Sequence, residues 1–191
     1  MPVTRTAASF VISPAVHAQR DDRRDRELLG RLAAGDGGAL AEIYGRHASA
    51  LFRHALALAH DRSDAEDLVQ SAFVKLATIG APLLGVRRPA SYLHRILRAA
   101  WIDVARHRSA APEQPCDGDA AHPMSADVCD AIDLRHALAK LPELQREVVV
   151  LHLFGGFSFR EIGDVTDVST FTAGSRYRLA IERLRLLLGE R

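Results

Sequence analysis

Near the C-terminus, Ser169, Thr170, Thr172, Ser175, Arg176 and Arg178 recur at spacings that one helix would gather around its first turns. Serine and threonine hydroxyls bond phosphates or base edges, and an arginine can hold guanine through two parallel donors. Upstream, Leu141-Pro142-Glu143-Leu144-Gln145-Arg146 leads into an apolar helix from Val148 to Phe154. Phe157-Ser158-Phe159-Arg160-Glu161-Ile162 then opens a short helix that breaks near Asp167, and Ser169 is a suitable cap for the next one. Two short helices joined by a tight turn, the second polar and arginine-bearing, have the form of a helix-turn-helix that enters a major groove. An ordinary amphipathic helix with a solvated arginine face has the same composition, so this segment alone leaves both readings open.

Two further groups could do chemistry of recognition. Residues 87–108 hold Arg87, Arg88, Arg95, Arg98, Arg106 and Arg108 against Asp103 alone, a net of +5. Arginines at this density suit phosphate or simply face water; Tyr92 and Trp101 beside them could stack on exposed bases or pack in a core. Asp64, Asp67 and Gln70 lie opposite the apolar run Leu68, Val69, Ala72, Phe73 and Leu76, a composition that fits a helix lying against another helix. Bond-making chemistry finds no support. None of the nine histidines pairs with another at a spacing of three or four, and none accompanies a nucleophile motif. Gly35-Asp36-Gly37-Gly38 and Gly155-Gly156 lack the lysine and flanking strands of a phosphate loop. The expectation is no enzyme, no catalytic residue, no metal and no cofactor.

These groups need helices to carry them. Leu28 to Ala34 reads as a first helix, stopped by the glycine turn at 35–38. Leu40, Ile43, Tyr44, His47, Leu51, Phe52, Ala55 and Leu58 recur at three- and four-residue steps, one face of a long amphipathic helix. Ser63 with Glu66 predicts a capping box for a third. A loop spans 78–88, and Pro89 sits at a first-turn position of a helix that runs to about His107. There Leu93, Ile96, Leu97, Ala100 and Val104 share a buried arc, with Arg95, Arg98 and Arg106 on the opposite side. In the last helix Ala173, Tyr177, Ala180, Ile181, Leu184 and Leu188 form the apolar stripe, and Thr172, Ser175, Arg176 and Arg183 project outward. No strand-like alternation of useful length occurs. The fold class is all-α, two small helical domains joined by a flexible acidic linker, with the helix-turn-helix in the second.

A net charge of +1 gives the 191-residue chain no overall field to draw in nucleic acid, so its basic surface is local. Residues 109–133 reverse it, with six acidic residues and no lysine or arginine, a net of −6. The predicted division is an extension over 1–24, a first domain over 25–108, a linker over 109–127 and a second domain over 128–191. No apolar run nears the roughly 18 residues of a membrane span, and Ala7 to Ala18 is too interrupted for a secretory signal. Cys116 and Cys129, the only cysteines, lack metal-knuckle spacing and read as reduced thiols in a cytoplasmic protein.

Read in order, these segments resemble the extracytoplasmic-function (ECF) branch of bacterial RNA polymerase sigma factors, over about residues 27–188. Asp64-Ala65-Glu66-Asp67-Leu68-Val69-Gln70-Ser71-Ala72-Phe73 is similar to the family's polymerase-clamp-binding helix. Ser91-Tyr92-Leu93-His94-Arg95-Ile96, with Ile102-Asp103 and Arg106, resembles its promoter-melting helix. Leu141-Pro142, Arg146, Glu161-Ile162 and Ser175-Arg176 resemble its reader of the upstream element. The resemblance implies a sigma factor with no catalysis of its own. By it, Asp64, Asp67, Gln70 and Phe73 would dock on the clamp helices of the largest polymerase subunit. Arg87, Arg88, Tyr92, Arg95, Arg98 and Arg106 would hold the −10 strand as it melts. Ser169, Thr170, Thr172, Ser175, Arg176 and Arg178 would read the −35 duplex. The implied partners are core RNA polymerase, promoter DNA in duplex and single-stranded form, and an anti-sigma factor.

The chain departs from the pattern at Tyr92, where tryptophan is usual, at Ala99, where asparagine is usual, and at Asp167, where glycine is usual. Gly163 and Gly174 replace better helix formers, each weakening its helix by about 1 kcal/mol relative to alanine. The alternative is a conventional helix-turn-helix regulator that acts without replacing sigma, which would bind duplex tightly by itself. A helical adaptor would show no dependence on Arg95 or Arg176 in DNA assays.

Overall fold

In the computed structural model, the described residues are 22–59, 61–110, 134 and 136–189, and every regular element among them is helical. The first four helices are α1 (Asp22–Ala33), α2 (Gly37–Ala59), α3 (Arg62–Ile79) and α4 (Pro89–Ala110). A 3-10 turn, Ala81–Gly85, precedes α4. After a helical turn at 136–139 come α5 (Glu143–Leu153), α6 (Phe159–Thr166) and α7 (Thr170–Leu187). Among the described residues no helix is long and apolar enough to cross a membrane. Cys116, Cys129, Arg108's side chain, the linker from 111 and the extension to residue 21 lie outside the described residues.

The apolar stripes of α1–α4 close on one core. Leu28, Ile43, Leu51, Leu58, Leu68, Leu76, Leu93 and Leu97 are all buried in it, each leucine or isoleucine contributing about 1.5–3 kcal/mol by leaving water. Leu83 of the 3-10 turn plugs the same core, so the segment read as a loop is anchored by its middle. Helix α1 starts at Asp22, six residues before the first periodic leucine. Its first turn is fixed by charge instead: Asp25 is 2% exposed, with Arg46 Nε 2.7 Å and His47 Nε2 2.9 Å away on α2. Burial alone would raise the Asp25 carboxyl; the hydrogen bonds and charges of His47 and Arg46 outweigh it and hold the group below its ordinary range.

The cap of α3 is Asp61, not Ser63. Its Oδ1 accepts from the backbone N–H of Ser63 and Asp64, which places Ser63 inside the first turn. Aspartate two residues earlier satisfies the same orphan donors and sits closer to the positive helix end. The second half of the chain has its own core of Val148, Leu151, Phe157, Ile162, Val165 and Ala173, with Leu141, Val149, Ala180 and Leu184 beneath α7. Leu188, expected in that stripe, is the exposed C-cap of α7. The two halves meet where α2 packs on α5 and α4 on α6, and Ala90 at the start of α4 belongs to the second core.

Candidate nucleic-acid interface

The turn between α6 and α7 is built from local chemistry. Ser158 caps α6 in a reciprocal box: its Oγ accepts from the Glu161 N–H, and its own N–H donates to Glu161 Oε2 at 2.9 Å. Asp167 closes the helix at φ 56°, ψ 48°, left-handed backbone that aspartate tolerates better than most residues. The chain then doubles back so tightly that a Cβ on Gly163 would stand 2.7 Å from the Val168 carbonyl oxygen. Gly163 is therefore required by the close approach, and its helix-weakening effect is the lesser consequence. At Gly174 a Cβ would meet only Phe159 at 4.0 Å.

Helix α7 begins with Ser169, whose Oγ accepts from the Thr172 N–H at 3.0 Å. Ser169, Thr170 and Arg178 are exposed or nearly so; Thr172, Ser175 and Arg176 are half-buried, with Arg178 donating to Ser175 Oγ at 3.2 Å. Arg176 is partly tucked in, its Nη1 buried, so it projects less than the helical wheel predicts. Phe171, absent from the sequence-based set, is 78% exposed in the first turn. Its immediate neighbours Thr170 and Thr172, both polar, gave no reason to single it out. On the inner side Tyr177 meets Phe159 and His152 in a ring cluster, and burial pushes its hydroxyl above the usual range.

The arginines of α4 and of the segment just before it separate into two sets. Arg87, Arg95 and Arg106 are exposed, and Tyr92 is half-buried against the first core. Arg98 is not with them. Its side chain is 19% exposed and its Nε donates to Glu147 Oε1 of α5 at 2.9 Å. Ala90, His94, Arg98 and Trp101 form a second stripe at three- and four-residue steps, facing the other half of the molecule. Trp101 Nε1 donates to Glu143 Oε1 at 2.9 Å, which leaves the ring beside α5. Arg88 Nη1 lies 3.6 Å from Asp164 Oδ2 of α6. Between these elements runs a groove of about 910 Å3, with Arg87, Tyr92 and Arg95 on one wall and Asp164, Asp167 and Ser169 on the other.

On α3, Asp67 and Gln70 are exposed and Asp64 is half-buried. Phe73 is 6% exposed and packs at 4.8 Å on Tyr44, so it supports the helix from the core side and presents no surface. Val74, 66% exposed, continues the Asp67–Gln70 face instead. The exposed face is thus acidic, amide and apolar in succession along one side of the helix.

Residues 43–111 match the family described as Sigma-70 region 2, and residues 131–184 match Sigma-70, region 4. The ECF RNA polymerase sigma factor SigM of Mycobacterium tuberculosis is 32% identical over 173 residues, covering 89% of this chain and 87% of that protein. The RNA polymerase sigma factor CarQ of Myxococcus xanthus is 32% identical over 165 residues, covering 84% and 95%. Among solved structures, CnrH in complex with the cytosolic domain of CnrY superposes with a TM-score of 0.64 at 27% identity, covering 86% of this chain and 97% of that one. The sigma factor RpoE of Bartonella quintana, solved with the anti-sigma factor NepR, gives a TM-score of 0.63 at 25% identity, covering 78% and 97%. This chain belongs to the ECF group of RNA polymerase sigma factors, initiation factors that direct the polymerase to promoters.

Proposed function

We propose that the exposed side of α3, with Asp67 and Gln70 at its centre, Asp64 at its edge and Val74 extending it, docks on the clamp helices of core RNA polymerase. Arg87, Arg88, Tyr92, Arg95 and Arg106 then hold the melted −10 strand, arginines on phosphates and Tyr92 on a base. Ser169, Thr170, Thr172, Ser175, Arg176 and Arg178 read the −35 duplex from the start of α7. The first domain would span 25–108 and the second 128–191, with 109–127 as the acidic tether. Arg98 and Phe73 act from within the fold. The chain itself would work in the cytoplasm, and an anti-sigma factor is the expected regulator, in line with the complex in which RpoE of Bartonella quintana was solved. The observation that carries the reading is the capped, exposed first turn of α7 behind a left-handed Asp167, on one chain with the polar face of α3.

The test is promoter-dependent transcription in vitro. Core polymerase supplemented with this protein should start from a cognate promoter, and Asp67→Arg should reduce core association by more than about tenfold, since it sets a cation where an acidic side chain docks. Retention of full core binding by Asp67→Arg, or tight duplex binding by the protein without polymerase, would overturn it.

A further inference from the structure

Between the two halves lies a cluster of ionisable groups that promoter reading does not use. His54 of α2, His94 of α4 and Glu147 of α5 are 0%, 3% and 1% exposed. Glu147 Oε1 is 3.2 Å from His54 Nε2 and 2.9 Å from Arg98 Nε. On its other side His54 Nδ1 meets His94 Nδ1 at 3.0 Å. One residue before Glu147, the buried Arg146 donates to the Ala57 carbonyl of α2 at 2.6 Å. Phe157 closes the cluster with its ring edge on His94, centroids 4.8 Å apart. The other charged groups around it face elsewhere. Glu143 takes Trp101, Asp164 of α6 takes Arg88 at the rim, and Glu66, Asp67 and Lys75 of α3 are exposed. On the α1 side, Asp25 is occupied by Arg46 and His47.

The arrangement counts protons. A carboxylate only accepts, so His54 Nε2 donates to Glu147. Two ring nitrogens 3.0 Å apart share a single hydrogen: one donates and the other accepts. The pair therefore closes when neutral, or with one imidazolium. A further proton would point two N–H groups at each other and put a second imidazolium beside Arg98, with the single carboxylate of Glu147 to offset them, in a site shut off from water. The neutral and singly charged forms fit; the doubly charged form does not.

The closed arrangement is also wrong for promoter DNA on the proposed reading, on which this inference rests for its functional side. Elements at −35 and −10 stand roughly 25 base pairs apart, on the order of 80 Å at about 3.4 Å per step. Here Arg87, Arg88 and Arg95 face α6 and the turn before α7 across one groove, with Arg88 3.6 Å from Asp164. The 23 residues of 111–133 are enough to let the halves part by up to about 80 Å when extended. We propose that the His54–His94–Glu147 seam is a proton-sensitive latch, holding the two halves closed against promoter DNA and releasing them when the histidine pair takes a second proton. A cavity of about 470 Å3 beside it, lined by Arg98, Trp101, Arg106, Glu143 and Glu147, gives water a place from which to enter.

Small-angle scattering on the full chain from about pH 8 to about pH 5.5, where histidine charge changes, tests this directly. The radius of gyration should rise by roughly 1.3-fold or more, as two compact units of about 12 Å radius part, while circular dichroism keeps its helical signal. His94→Asn supplies an amide N–H in place of Nδ1–H without the capacity to charge, and should stay compact at about pH 5.5. Glu147→Gln should be expanded already at about pH 8, because its amide oxygen still accepts but carries no charge to hold Arg98 and His54 across the seam. A wild-type radius unchanged across the range, expansion accompanied by loss of helix, His94→Asn opening at the wild-type pH, or compact Glu147→Gln would each overturn the latch. Scattering reads the separation of the halves and not transcription, so its failure leaves the promoter reading standing.

Discussion

Asp25 and Glu147 are both buried carboxylates gripped by one arginine and one histidine, yet the partners of Asp25 come from its own half and those of Glu147 from the other. Inside the first half, Asp25 binds α1 to α2 above a continuous leucine core. Across the seam, Glu147 meets His54 and Arg98, and Ala90 of α4 joins Phe157 in the core of the second half. Burial alone would push both carboxyls up; their donors outweigh it and leave both below the ordinary range. The same local chemistry thus serves cohesion in one place and attachment in the other. What separates the two is whether the surrounding apolar surface can leave without unfolding.

The largest expected effect follows from breaking the inner grip. Asp25→Ala leaves Arg46 and His47 without their acceptor, and because Arg46 can turn to water the cost is about 3 kcal/mol in urea unfolding. The sign with pH is fixed by the direction of the shift. A carboxyl held below its unfolded value of about 3.9 contributes stability above that pH and loses it as pH falls through the folded value. The difference between wild type and Asp25→Ala should therefore stay level from about pH 7 to 5 and shrink only below about pH 4. A difference that already vanishes near pH 5.5 would mean that the stabilisation does not follow the charge of the Asp25 carboxylate.

The second half should show the same cohesion at the turn before α7. Gly163→Ala drives a Cβ into the Val168 carbonyl, whose position is fixed by the left-handed Asp167, and should cost about 2 kcal/mol with weaker −35 binding. Gly174→Ala on α7 meets only an ordinary van der Waals contact with Phe159 and should instead stabilise by about 0.5–1 kcal/mol. Opposite signs for two glycine-to-alanine changes, measured by thermal unfolding, would show that close approach and not helix propensity governs position 163. Equal losses would remove the distinction.

These contrasts mark where the chain was legible. Apolar periodicity located the cores, because Ile43, Leu51 and Leu58 return to one helix face every second turn, a recurrence that strand alternation does not produce. The turn at Asp167 and the cap at Ser169 were also readable, being made from residues adjacent in sequence. Asp25, His54, Arg98 and Glu147 were not. A charged residue in a mixed-charge run reads as solvated, and the partners that bury it lie 21 to 93 positions away. The stripe Ala90, His94, Arg98 and Trp101 was present in the sequence at helical spacing, but its polar character hid that it faces a second surface. Phe73 illustrates the converse: a family resemblance placed it on a partner, and its packing on Tyr44 places it inside.

The smallest stability effect is expected at Glu147, and it bears hardest on the comparison. If the seam is attachment, Glu147→Ala need not leave Arg98 and His54 buried without an acceptor, because the halves can part and both side chains can hydrate. Urea unfolding of each half, followed by a probe within it, should then shift by less than about 1 kcal/mol, a value typical of surface changes. If the seam is cohesion, the chain has no such escape, and the loss should approach the roughly 3–5 kcal/mol of a broken buried pair. Asp25→Ala measured beside it supplies the internal standard: a large loss at Asp25 with a small one at Glu147 means that one carboxylate belongs to a domain and the other to a joint between domains.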